Sequence, residues 1–117
     1  MSITLKVASA TNLVLTKART LVNGLVFQAL GTTYAGSTKY SMTQNVNAKG
    51  VAKSRFNCAR PFTNALGEVK YNYITIEVQV QPDTPIASAG ELPWLAQTMA
   101  SDASFTDVVV NNAFTAS

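Results

Sequence analysis

From Val69 to Gln81 the chain alternates almost without a break. Asn72, Ile74, Ile76, Val78 and Val80 fall on one face of a strand, and Tyr71, Tyr73, Thr75, Glu77, Gln79 and Gln81 fall on the other, because successive side chains of a strand point oppositely. A strand this long with one aliphatic face requires a sheet whose aliphatic side is covered and whose polar, aromatic side meets solvent or a ligand. Shorter segments supply the rest of such a sheet. Ile3 to Val7 alternates as a half-buried strand does. Leu13 to Thr20 reads as a second strand, and Asn23-Gly24 before Leu25-Val26-Phe27 reads as a hairpin turn. Thr38 to Val46 makes a fourth strand and Asn47-Ala48-Lys49-Gly50 a turn. Val51 runs back to Arg60-Pro61, where the proline predicts a strand end or edge. Thr63 to Gly67 is a loop.

Pro82 and Pro85 close the alternating run, and the period then changes. Leu92, Leu95 and Met99 recur at helical spacing. Ser88-Ala89-Gly90-Glu91 has the pattern of a capping box, and Pro93 is tolerated only in the first turn of the helix that follows. A break at Ser101 to Ala103 precedes a second short helix over Phe105 to Phe114. Ser104 to Asp107 resembles another capping box, and Asp102 and Asp107 lie where capping acids are expected. Strands followed by helices predict an α+β fold, an antiparallel sheet of about six strands with two C-terminal helices. Residues 1–117 read as one domain, with sheet over 1–81 and a helical segment over 85–117. Two short helices cannot cover six strands, so a dimer that shares helices between sheets is expected.

The charges are split along the chain. Residues 1–67 hold eight Lys or Arg and no acid, a net +8, and residues 68–117 hold one Lys and all six acids, a net −5. A basic sheet is a surface that can lie along phosphates, and nucleic acid is the commonest anionic partner of such a chain. Charged residues make up only 13% of the sequence. Either much of the surface is buried in an assembly, or Ser, Thr, Asn and Gln make up the polar surface. The chain has no histidine and a single cysteine, Cys58. His-based triads and metal sites are thereby excluded, and no internal disulfide can form. Cys58 reads as a small buried side chain. No glycine cluster fits a phosphate-binding loop. No catalytic residue, metal ligand or cofactor is expected, and an enzyme is disfavoured. No signal peptide is read at the N-terminus, and no apolar run approaches the roughly 18 residues a membrane span needs.

Four stretches resemble a known family. Tyr40-Ser41-Met42-Thr43-Gln44-Asn45-Val46 is similar to a strand that begins with Tyr and presents small polar side chains inward. Tyr73-Ile74-Thr75-Ile76-Glu77-Val78 is similar to a later strand in which Tyr, a small polar residue and Glu alternate with aliphatics. Glu91 to Met99 and Phe105 to Asn111 are similar to two closing helices. Together they resemble the coat proteins of single-stranded RNA bacteriophages, the leviviruses. The resemblance implies an interlocked homodimer with a continuous antiparallel sheet, each subunit's helices lying over its partner's sheet. It further implies an icosahedral shell assembled in the bacterial cytoplasm and localisation in the virion. It implies a bare inner face that binds genomic RNA, and in some members an operator hairpin that represses translation. The family's usual basic residue near the end of the fourth strand is Asn47 here, which counts against operator specificity of that kind.

The residues support that choice of face. Lys39, Ser41, Thr43 and Asn45 share one side of the fourth strand, Lys53, Arg55 and Asn57 one side of the fifth, and Tyr73, Thr75 and Glu77 one side of the last. Cations meet phosphates, Thr and Asn can bond base edges, and a Tyr ring can stack an unpaired base for about 1–3 kcal/mol. Glu77 is electrostatically wrong for phosphate and needs a cationic neighbour or a base amino group. The loops Gly31 to Gly36 and Asn64 to Gly67 are candidate contacts between dimers. A small β-ribbon nucleic-acid-binding regulator and a non-nucleic structural subunit remain alternatives.

Overall fold

The computed structural model describes residues 2–8, 10–29 and 36–111. They form two compact units, one up to Pro82 and one from Asp83 onward. The first is a six-stranded antiparallel meander, in which each strand pairs with the next in sequence. Its strands are β1 (Ser2–Ala8), β2 (Thr11–Leu21), β3 (Gly24–Ala29), β4 (Lys39–Val46), β5 (Ala52–Thr63) and β6 (Val69–Val80). The six expected strands are all present.

The apolar face gathers on β1 to β4. Leu15 and Phe27 are fully buried and Ala29 nearly so, with Ile3, Leu5, Leu13, Leu25, Tyr40 and Met42 packed around them. Burying a side chain of that size stabilises by about 1.5–3 kcal/mol. The Phe27 and Tyr40 rings stack at 6.2 Å between centroids. Cys58 lies opposite Tyr40 on this face and is half-buried rather than buried. Burial pushes both its thiol and the Tyr40 phenol up. Farther out the same face is bare, with Ile74 59% and Ile76 45% exposed.

Two turns share one chemistry. In Asn47-Ala48-Lys49-Gly50 the Asn47 side-chain oxygen accepts from the N–H groups of Lys49 (2.9 Å) and Val51 (3.0 Å). In Asn64-Ala65-Leu66-Gly67 the Asn64 oxygen accepts from Leu66 (3.0 Å) and Glu68 (2.9 Å). Each turn ends on a glycine with φ near +80°, Gly50 at 83° and Gly67 at 82°, where a Cβ would be strained. Asn47 is thus a turn-forming residue.

Three local expectations are corrected. The β2–β3 turn consists of Val22 and Asn23, with Gly24 already paired to Leu21. Gly24 is needed for a close approach instead: a Cβ there would sit 1.9 Å from the Met42 carbonyl oxygen. Pro61 does not end β5, which continues to Thr63. The β4 ladder stops at Lys39 opposite Ala59, so among the described residues β5 has no strand partner on that side beyond that point, and a missing N–H is tolerated there. The capping boxes at Ser88 and Ser104 do not form.

In the second unit, helix α1 (Ile86–Ala89) precedes α2 (Glu91–Ser101) and α3 (Ala103–Asn111), giving three helical segments where two were expected. Ser88 is itself helical. Pro93 lies in the first turn of α2, and having no N–H it cannot donate to the Ala89 carbonyl four residues back. The helical ladder is interrupted there. Asp102 caps α3: its carboxylate accepts from the Ser104 N–H at 3.1 Å and from the Ser104 hydroxyl. Those bonds hold its carboxyl below the ordinary value. No residue of the three helices is buried, and Trp94, Leu95, Met99, Phe105, Val109 and Val110 are all exposed.

Candidate nucleic-acid interface

Residues directly opposite each other in an antiparallel sheet share a face, so the register fixes which side chains meet. One row across β3 to β6 runs Gln28, Lys39, Ala59, Tyr73. The next runs Val26, Ser41, Asn57, Thr75. A third runs Gly24, Thr43, Arg55, Glu77, and a fourth, from β4, runs Asn45, Lys53, Gln79. All ten residues singled out from the sequence therefore lie on one face of the sheet.

Their neighbours differ. Lys39 Nζ stands 5.0 Å over the ring of Tyr71, whose centroid is 6.3 Å from that of Tyr73. Thr75 Oγ1 donates to Asn57 Oδ1 at 3.2 Å. Asn45 Oδ1 accepts from Asn23 Nδ2 at 2.7 Å. Arg55 Nη2 meets Glu77 Oε1 at 3.0 Å, and this bond holds the Glu77 carboxyl below its ordinary value. The cationic neighbour that Glu77 requires on this face is thus Arg55. Tyr73 is 66% exposed, and Lys53 and Arg55 are exposed too.

At the Lys39 end the face holds a cavity of about 320 Å³ lined by Arg19, Leu21, Val26, Lys39, Ser41, Asn57, Ala59, Tyr71 and Tyr73. Arg19 and Tyr71 were not among the candidates. Tyr71 has the parity of Tyr73 and was legible on that ground. Arg19 was not, because simple alternation from Leu13 and Leu15 puts it on the apolar side. A register shift between Lys17 and Arg19 inserts Ala18 and turns Arg19 to the polar face opposite Val26. By register this face carries Lys6, Arg19, Lys39, Lys53 and Arg55 against one acid, Glu77. Among the described residues no group of three or more acids or thiols is placed to hold a metal ion, and no helix is long and apolar enough to cross a membrane.

The architecture has known counterparts. The virus-like particle of Beihai levi-like virus 21 superposes with a TM-score of 0.83 at 13% identity, over 95% of this chain and 93% of that one. The fold is that of RNA-phage coat proteins. The virus-like particle of bacteriophage AVE019 gives 0.81 at 11% identity, covering 93% of this chain and 92% of that one. The bacteriophage GA capsid protein gives 0.63 at 9% identity, covering 96% and 88%. No protein-family model and no curated protein matches the sequence. The coat-protein fold is therefore shared at sequence identities of 13%, 11% and 9%. The loop Gly31 to Gly36 falls almost wholly outside the described residues, whereas Asn64 to Gly67 is the turn described above.

Proposed function

We propose that this chain is the structural coat protein of an RNA bacteriophage. It dimerises, assembles into an icosahedral shell of the virion, and packages single-stranded RNA against the polar face of its sheet. The observation that carries the reading is the pairing of the coat-protein fold over 95% of the chain with a sheet face bearing five cations and one acid. Lys39, Lys53 and Arg19 supply charge for phosphates. Ser41, Thr43, Asn45, Asn57 and Thr75 supply hydrogen-bonding groups for bases or sugars, and Tyr73 supplies a ring for stacking. Arg55 and Glu77 belong to the same face as a pair.

Dimerisation follows from what is left bare. Ile74 and Ile76 on the sheet, and Phe105, Val108 and Val109 on α3, are exposed apolar residues within the single chain. A second copy covering them with its own helices would bury both sets, and patches of this kind mark association surfaces. An operator-binding, repressing role is the finer part of the proposal. Asn47, held in its turn, offers no charge for it.

Electron microscopy of the expressed protein, with the ratio of absorbance at 260 and 280 nm on purified particles, tests the reading. Uniform RNA-filled shells are expected. Lys39→Ala with Tyr73→Ala should lower the ratio while leaving dimers intact, because both side chains lie off the apolar core. Soluble dimers that bind duplex DNA and form no shell would overturn the proposal in favour of a regulator.

A further inference from the structure

The apolar face of the sheet also carries charge. By register Lys17 stands there opposite Phe27, Arg60 opposite Asn72 and Lys70 opposite Phe62. All three cations are exposed, and Arg60 Nη1 donates to Thr38 Oγ1 at 2.6 Å. Glu77 is the one acid within the six strands, and it belongs to the other face. Along the strands Arg60 falls one row, about 7 Å, from the exposed Ile74, and Lys70 two rows, about 13 Å. The bare aliphatic patch is thus bordered by cations on β5 and β6.

The helical unit has the opposite sign. From Asp83 to its last residue the chain holds four acids, Asp83, Glu91, Asp102 and Asp107, and no Lys or Arg. Glu91 is one turn from Leu95 and so stands beside the Leu92, Leu95, Met99 stripe of α2. With Trp94, Leu95 and Thr98 it lines a shallow hollow of about 280 Å³. Such a hollow suits a long cationic side chain, its methylenes on Trp94 and Leu95 and its head at the carboxylate.

We infer that Glu91 of one copy pairs with the Arg60–Lys70 margin of a second copy's sheet, so that charge as well as apolar burial sets how two copies meet. The inference rests on the dimer reading above and adds which charges face each other. The occupant is a second copy because one chain carries both halves of the match. The cations border an exposed aliphatic patch, the acid borders an exposed apolar stripe, and a two-fold pair satisfies each contact twice. Complementary charge of this kind steers encounter and fixes register.

The test uses the full chain and reads dimer stability from the urea midpoint at several protein concentrations, urea being uncharged. Glu91→Lys and Lys70→Glu each set like charges against each other at both symmetric contacts. Each should weaken the dimer about fivefold at about 0.1 M salt, as expected for a pair of exposed ionic contacts. The loss should be much smaller at about 1 M, where the screening length is about 3 Å. The double variant exchanges the two signs and should recover most of the loss. Arg60→Gln, which keeps a donor for Thr38, should weaken the dimer in the same salt-dependent way. Circular dichroism verifies that each variant is folded. If the single variants match the wild type, or the double variant is no better than either single one, the charge pairing is refuted and the dimer stands. If the wild-type midpoint does not move with protein concentration, the dimer reading and this inference fall together.

Discussion

Gly24 and Arg19 show how single positions decide this face. Alternation assigns Arg19 to the apolar side, yet one inserted residue in β2 delivers its guanidinium to the cavity beside Lys39. Gly24 is fixed by the backbone of the neighbouring strand, since a methyl group there would overlap the Met42 carbonyl. Gly24→Ala should cost at least about 2 kcal/mol, because neither strand can shift without disturbing the ladder on which the rows depend. A chemical-denaturation midpoint close to wild type would show that β3 and β4 do not approach so closely in solution. Asn47 and Asn64 are fixed just as firmly, each carrying two backbone N–H groups on one side-chain oxygen.

At the scale of elements, the two Asn-Ala-x-Gly turns make a controlled comparison. They join β4 to β5 and β5 to β6 with the same bonds from backbone N–H groups to the Asn side-chain oxygen, Asn64 Nδ2 donating one more to Glu68 Oε1 at 3.3 Å, so Asn47→Ala and Asn64→Ala should each destabilise the folded protein by about 1 kcal/mol. The proposed shell need not respond equally. If the 64–67 turn lies between dimers, as proposed from the sequence, Asn64→Ala should lower the temperature of particle disassembly more than Asn47→Ala does. Equal effects in a thermal-shift assay on assembled particles would remove that turn from the contacts between dimers. The helices give the converse lesson. Ser88 and Ser104 have capping patterns, but Pro93 leaves the Ala89 carbonyl without its helical donor and Asp102 captures the start of α3. Local signals two or three residues apart compete, and at α3 the Asp102 carboxylate, which accepts from the Ser104 N–H and hydroxyl, prevails.

For the whole molecule, the exposed apolar surface is what the proposed dimer would cover. Ile74, Ile76 and the α3 residues Phe105, Val108 and Val109 are all exposed in the single chain. An Ile74→Asp protein should therefore accumulate as monomer or aggregate and yield no shells, as read by light scattering and microscopy. Normal shells from that variant would place the dimer contact elsewhere. Charge acts at the same scale. The polar face keeps a positive balance because β1 to β5 hold no acid at all, and the single acid of β6 arrives paired.

Much of this was legible in the amino-acid order. Period-two alternation marks the strands, and parity alone puts Lys39, Ser41, Thr43, Asn45, Lys53, Arg55, Asn57, Tyr73, Thr75 and Glu77 on matching sides, because side-chain direction is a local property of an extended chain. Which residues stand opposite one another is not local. The pairing of Arg55 with Glu77, the seat of Lys39 on Tyr71 and the neighbours of Gly24 depend on register between strands distant in sequence. A single bulge reverses parity with no residue type to announce it. Sequence therefore determined the polar surface and its charge, whereas only the tertiary structure decided that the acid of that surface stands opposite Arg55. The reason is that hydrogen-bond register, set by the whole ladder, fixes where each charge meets its neighbour.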